Sequence, residues 1–250
     1  PGWSILGTGQ KSPEDQNKEK LASYSVLLNP VNSQEEKVDY KGISSKAYNL
    51  KLAKQLKETL EKDGIKVILT RDNDDSYPSK EDILKIAAEN SVEMLIDIDT
   101  NNDSNKEVFG VKVYYGTQES SIVARSIEKN LSEHYISKIS SSEKQANFPQ
   151  LSDKLPQVKL ITANIGNKID VDLLNNEIVN KQFIESLRDG IEGYLYYLIN
   201  IDNYNAKRKE QLLNLPQKGL SVPMYYMKQD AYKNIAYGLD GKKTIEDNGD

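Results

Sequence analysis

The chain has 250 residues, and its 33 basic and 38 acidic side chains are mixed along its length for a net charge of -5. That length can bury the core of one large α/β domain or two small ones, and without a basic patch no nucleic-acid partner is expected. With no cysteine, disulfides, thiolate zinc sites and cysteine nucleophiles are excluded together.

No apolar run approaches the ~20 residues needed to cross a bilayer, so no transmembrane segment is expected. The chain opens on Pro1-Gly2-Trp3-Ser4, and a processed or trimmed form is expected, any signal or anchor having been removed. Residues 1–22 are polar and aperiodic, as a solvated linker is. The apolar run Tyr24 to Leu28 predicts a first strand that stops at Asn29-Pro30. From Lys46 to Lys62, Tyr48, Leu52, Leu56 and Leu60 recur every fourth residue with Ala53 beside them, which predicts a helix ending before Gly64. Ile65 to Leu69 reads as a buried strand, followed by the polar loop Thr70-Arg71-Asp72-Asn73-Asp74-Asp75.

Ser79, with Asp82 three residues on, resembles a helix cap, and Ile83, Ile86 and Ala87 give the next helix its apolar face. Met94 to Ile98 predicts another buried strand. Val111, Val113 and Tyr115 alternate with Lys112 and Tyr114 after Gly110, a strand with one wetter face near a sheet edge. Val123, Ile127 and Leu131 mark a third helix and Val158 to Ala163 a fifth strand. Phe183, Leu187, Ile191, Leu195 and Leu198 mark a long closing helix. Strands alternating with helices predict an α/β fold in three layers, a mostly parallel or mixed sheet with helices on both faces. Beyond about Asn200 the chain turns polar and is broken by Pro216 and Pro223, so 23–199 is expected to be the domain and 200–250 a partly ordered extension. Within it Val222 to Met227 is apolar and aromatic, able to pack on its own domain or dock on a neighbour.

The order of these pieces over about residues 22 to 199 resembles the zinc-dependent N-acetylmuramoyl-L-alanine amidases, the amidase type 3 family. That family's first strand runs into Asp-Pro-Gly-His-Gly, and here Val26-Leu27-Leu28 runs into Asn29-Pro30-Val31-Asn32-Ser33. Asn49-Leu50 is kept, with Ser45 where the family has a glutamate. Helix, Gly64, strand and Thr70-Arg71 with Asp74 behind them match closely. Asp97-Ile98-Asp99-Thr100-Asn101 stands for Ser-Ile-His-Ala-Asn, the Gly-Val-x-Val-Tyr-Tyr strand is intact as Gly110 to Tyr115, and Leu160-Ile161, Asn167 and Leu173-Leu174 stand for the strand and helix around the catalytic glutamate. Gly190-Ile191 and Tyr194 resemble the family's closing helix.

The resemblance implies a zinc held by two histidines and a glutamate, with a second glutamate managing the proton of the bound water. The matching positions here are Asn32, Ser45 and Asp99 for the ligands and Ile161 for the base. The expectation is therefore a degenerate zinc site with no metal, no cofactor and no catalytic residue: not an enzyme but a pseudoenzyme. Its cleft would be lined by Asn32, Asp97, Asp99 and Asn101. The lone histidine, His134, is expected to face solvent at a helix end. Asp97, Asp99, Asn101, Asn102 and Asp103 gather at a strand's carboxyl end, a solvated acidic loop or an oxygen-rich calcium or magnesium site. The expected partner is peptidoglycan or another envelope protein, in an extracytoplasmic setting such as sporulation or cell division. The alternatives are a cell-wall amidase with an altered metal site and a domain that spaces the parts of a longer protein.

Overall fold

The computed structural model describes residues 18–32, 38–39, 41–105, 107–135 and 142–213. The segment Val222 to Met227 and most of the expected linker lie outside these residues. By compactness the chain divides into Pro1–Tyr194 and Leu195–Asp250. The sheet and every expected site residue fall in the first unit; the described part of the second continues the last helix to Leu213.

Six strands form one mixed sheet in the order β2-β1-β3-β6-β4-β5. They are β1 (Ser25–Pro30), β2 (Lys66–Leu69), β3 (Met94–Asn101), β4 (Lys112–Tyr115), β5 (Glu143–Lys144) and β6 (Gln157–Asn164). The first three and β6 run parallel, and β4 is antiparallel to β6. The helices are α1 (Ser45–Lys62), α2 (Lys80–Asn90), α3 (Gln118–His134), α4 (Lys168–Asn175) and α5 (Glu177–Leu213). The mixed sheet with helices is the architecture expected from the sequence, and β4 lies one strand in from the edge. Two elements had no apolar period to announce them. Strand β5 is two exposed charged residues, and α4 is only eight residues long.

The cap expected at Ser79 begins α2. Ser79 accepts from the Asp82 amide while the Asp82 carboxylate accepts from the Ser79 amide, a reciprocal box that satisfies two otherwise orphaned donors. Thr117 accepts from the Ser120 amide at the start of α3, and Asn167 from the Ile169 and Asp170 amides at the start of α4, without the reciprocal bond. Leu27 and Leu95 point to one side of the sheet, where Ile83 and Ala87 of α2 cover them with Leu151 and Leu155 alongside. Tyr48 of α1 gathers Ala163, Ile165, Val171 and Leu174 into a second cluster.

Helices α3 and α5 approach closely at Gly190. A Cβ there would sit 2.7 Å from the Cα of Ile127, and Ser126 Oγ donates to the Gly190 carbonyl at 2.7 Å. In an isolated helix alanine is favoured over glycine by roughly 0.5–1 kcal/mol. Here backbone occupies the space, so Gly190→Ala is expected to destabilise by about 1–3 kcal/mol, a loss of several degrees in thermal midpoint. A midpoint that rises with alanine would mean that the two helices do not touch at this position.

Candidate functional site

One hydrogen-bonded row crosses the parallel strands below the site. Thr70 Oγ1 donates to Asn29 Oδ1 at 2.7 Å, and Asn29 Nδ2 donates to Asp97 Oδ1 at 2.6 Å. Gln157 Nε2 donates to the other carboxylate oxygen at 2.7 Å, and its own Oε1 accepts from the Leu151 amide. Asp97 is buried and pairs with no ammonium group directly; burial pushes its carboxyl above the ordinary range, against the amide donors of Asn29 and Gln157.

Asp99 lies one pleat further out on the same side of β3. Its Oδ2 is 2.8 Å from Lys159 Nζ. Its Oδ1 accepts from the Thr100 amide at 2.8 Å and, at 3.4 Å, from Asn49 Nδ2, which also donates to the Val31 carbonyl. Ile161 is the register partner of Asp99 across β3 and β6, and Asp97 is the partner of Lys159. The register makes the first pair direct neighbours.

The two remaining expected ligand positions are also engaged. Asn32 Nδ2 donates to the carbonyls of Asp74 and Ser76 at 3.0 and 2.8 Å, and Ser45 Oγ lies 2.5 Å from Thr100 Oγ1. The loop holding Asn32 is itself fixed by buried Arg71, which donates to the carbonyls of Pro30, Lys46 and Asn73 and pairs with Asp74. The amide oxygens of Asn32 and Asn49 are buried and accept nothing from the protein.

This donor set does not fit zinc. The positions expected for the ligands and the base hold an amide, a hydroxyl, a carboxylate and a hydrocarbon, and the carboxylate is neutralised by an ammonium that would repel a dication. Nor do the acidic residues at the end of β3 gather a hard cation. Asp97 serves the buried row, Asn101 accepts from the Asn102 amide and Asp103 from the Asn105 amide. Among the described residues no group of three histidine, cysteine or acidic side chains converges. His134 is exposed in the last turn of α3, with Nδ1 3.1 Å from the Asn130 carbonyl.

The open space lies beside this strip. A cavity of about 230 Å³ is lined by Asn101, Lys112, Tyr114, Lys159, Ile161 and Asn164, among others. Of the four cleft residues expected from the sequence, Asn101 lines it, while Asp97 is buried beneath. The register shift between β3 and β6 shapes the wall. Asp99 pairs with Ile161 but Asn101 with Asn164, so the extra residue in β6 turns Asn164 to the cavity side and leaves Ala163 to the cluster around Tyr48. Sequence reasoning missed Lys159. Its only signal was a charge in the middle of an otherwise buried strand.

A raised carboxyl binds a proton more readily in the folded chain than in the unfolded one. Its contribution is complete below the unfolded value of about 4 and is lost as pH rises through the folded value. Asp97→Asn removes that titration. Urea midpoints of the variant are expected to change less between about pH 4 and pH 7 than those of the parent chain; parallel profiles would mean that Asp97 is not desolvated.

Residues 31–193 match the family described as N-acetylmuramoyl-L-alanine amidase. LytC of Bacillus subtilis is 24% identical over 72% of this chain and 37% of its own length, and the probable cell wall amidase LytH of Staphylococcus aureus is 28% identical over 77% of this chain and 67% of its own. The chain thus spans a little over a third of LytC and about two thirds of LytH. Among solved structures, the CwlD amidase of Clostridioides difficile, in complex with the GerS lipoprotein, superposes with a TM-score of 0.62 at 21% identity, covering 69% of this chain and 98% of that one. The catalytic domain of CwlV from Bacillus (Paenibacillus) polymyxa var. colistinus gives 0.62 at 20%, with the same coverage. No helix among the described residues is long and apolar enough to cross a membrane. The expectation that the chain is not an enzyme is overturned by these matches, because the family and the solved neighbours are amidases, which are enzymes. A mixed six-stranded sheet, a polar strip at the carboxyl ends of β1 and β3, and a match through nearly all of these elements make the chain a member of the N-acetylmuramoyl-L-alanine amidase family.

Proposed function

We propose that the chain is an N-acetylmuramoyl-L-alanine amidase-type cell-wall hydrolase with an altered centre, acting on peptidoglycan outside the cytoplasm. The observation that carries this reading is the family match over residues 31–193, a span that includes Asn32, Ser45, Asp99 and Ile161. On this reading those four residues stand at the family's ligand and base positions, and 23–199 is the amidase-like domain between a linker and an extension. LytC is by name an N-acetylmuramoyl-L-alanine amidase and LytH a probable cell wall amidase, which supports the amide between muramic acid and L-alanine as the bond acted upon. CwlD was solved with a lipoprotein, and an envelope protein is the corresponding second partner here.

The residues contribute a fixed environment for that amide. Asp99 holds the Lys159 ammonium at the centre of the strip, and a preorganised positive donor beside a polarised carbonyl is the kind of group that stabilises developing negative charge.

Incubation of the purified chain with muramyl peptides is expected to release new L-alanine amino termini, at a rate unchanged by a zinc chelator. The same preparation is to be checked for bound metal by elemental analysis. Turnover lost on chelation and restored by zinc would overturn the altered centre. No released amine from either muramyl peptides or intact peptidoglycan would overturn the hydrolase itself.

A further inference from the structure

The cavity beside Asp99 carries an uneven charge. Two of its lining residues, Lys112 and Lys159, are cationic and none is acidic, in a chain whose net charge is negative. Lys112 is the register partner of Ile161, and Tyr114 is the partner of Lys159. The two lysines therefore lie diagonally on one face of an antiparallel pair, about 7–8 Å apart at the backbone. Lys159 is neutralised by Asp99 at 2.8 Å. Lys112 has no carboxylate within ion-pair distance among the described residues.

The one carboxylate beside the two lysines balances only one of them, so the cavity keeps a positive charge to which an anion is attracted. Uncharged groups complete the lining. Asn101, Tyr114 and Gln145 are among its polar lining residues, and Ile161 is an apolar one. The volume of about 230 Å³ matches roughly eight waters at ~30 Å³ each, enough for a carboxylate with a few attached carbons.

We propose that this cavity is a carboxylate-binding site in which Lys112 supplies the unbalanced positive charge and Lys159, braced by Asp99, supplies a second donor. The net charge selects among anions. With the Lys159 and Asp99 charges cancelling, the lining offers one positive charge, which suits a monoanionic carboxylate rather than a phosphate dianion. Carboxylates that accept from ammonium groups form charge-assisted hydrogen bonds, stronger than those of a neutral amide in the same place.

The test is direct binding, independent of turnover, so its failure and the failure of the hydrolase reading are distinguishable. N-acetyl-alanyl-alanine and its carboxyl-terminal amide differ only in the charge at issue. Calorimetric titration of both into the purified chain is expected to show the acid binding at least ~10-fold more tightly, with a preference that shrinks as salt rises. In Lys112→Met the preference is expected to vanish, while Lys85→Met, altered far from the cavity, keeps it; circular dichroism melts of both variants establish that they fold. Lys159→Met is expected to weaken binding of the acid as well.

Equal affinity for acid and amide in the parent chain, binding of neither at millimolar concentration, or a preference that survives in folded Lys112→Met would each overturn the proposal. Inorganic phosphate binding more tightly than the acid would overturn the assignment to a monoanion. If Lys112→Met does not fold, the parent chain's acid against amide comparison and its salt dependence decide alone.

Discussion

Everything at the candidate site rests on the buried carboxylate of Asp97 and the amides that hold it. Thr70, Asn29, Asp97 and Gln157 join β1, β3, β6 and the end of β2 in a single row of side-chain hydrogen bonds. Leu151 ties the adjoining loop to the end of that row through Gln157. A carboxylate so placed is costly unless every acceptor position has a donor. Asn29 cannot turn its amide without losing both Thr70 and Asp97, and Gln157 cannot turn without losing Asp97 and Leu151. The strands are thus fixed in register by polar contacts as well as by the apolar faces of the sheet.

That fixed register determines what happens one pleat further out. Residues two apart on a strand share a face, so Asp99 is presented beside Ile161, and Lys159 within reach of it, as soon as Asp97 is set. The loop from Arg71 to Ser76 completes the rim. Arg71 donates to backbone carbonyls at the end of β1 and the start of α1, and the loop's own carbonyls hold Asn32. The Thr70-Arg71 pair, which in sequence marks only a family likeness, is physically a clamp between the buried row and the rim.

Much of the fold was legible in sequence because apolar spacing reports burial directly. Tyr48, Leu52, Leu56 and Leu60 repeat at helical spacing, and all four are buried in α1. The Ser79 cap was readable because a capping box is a local pattern. What escaped had no such pattern: β5 is a pair of exposed charges, and α4, which buries only Asp170, Val171 and Leu174, was readable from the resemblance alone. Asn32, Ser45, Asp99 and Ile161 could be named from the resemblance, but not their partners. Lys159 is distant in sequence from Asp99, and only the parallel pairing of β3 with β6 brings them together. The burial of each carboxylate along β3 escaped for a related reason. Asp97 and Asp99 share a strand and a face, yet the first is buried in the side-chain row with Asn29 and Gln157 and the second is partly open.

The pair that results is a different electrostatic solution from a metal. A dication needs several anionic or imidazole donors to offset its lost hydration, and the strip has a single carboxylate at the matching position. An ammonium carries half that charge, and one carboxylate balances it. The apolar side chain of Ile161 beside Asp99 then acts in the pair's favour, because low local polarity strengthens the attraction once both partners are present. A carboxylate base in that position would instead compete with Asp99 for Lys159 and leave one negative charge unpaired. Asp99, Lys159 and Ile161 therefore make physical sense only together: given lysine at 159, Asp99 is its counterion and Ile161 the neighbour that keeps the pair exclusive, with Lys112 left as the unbalanced charge among the cavity's lining residues.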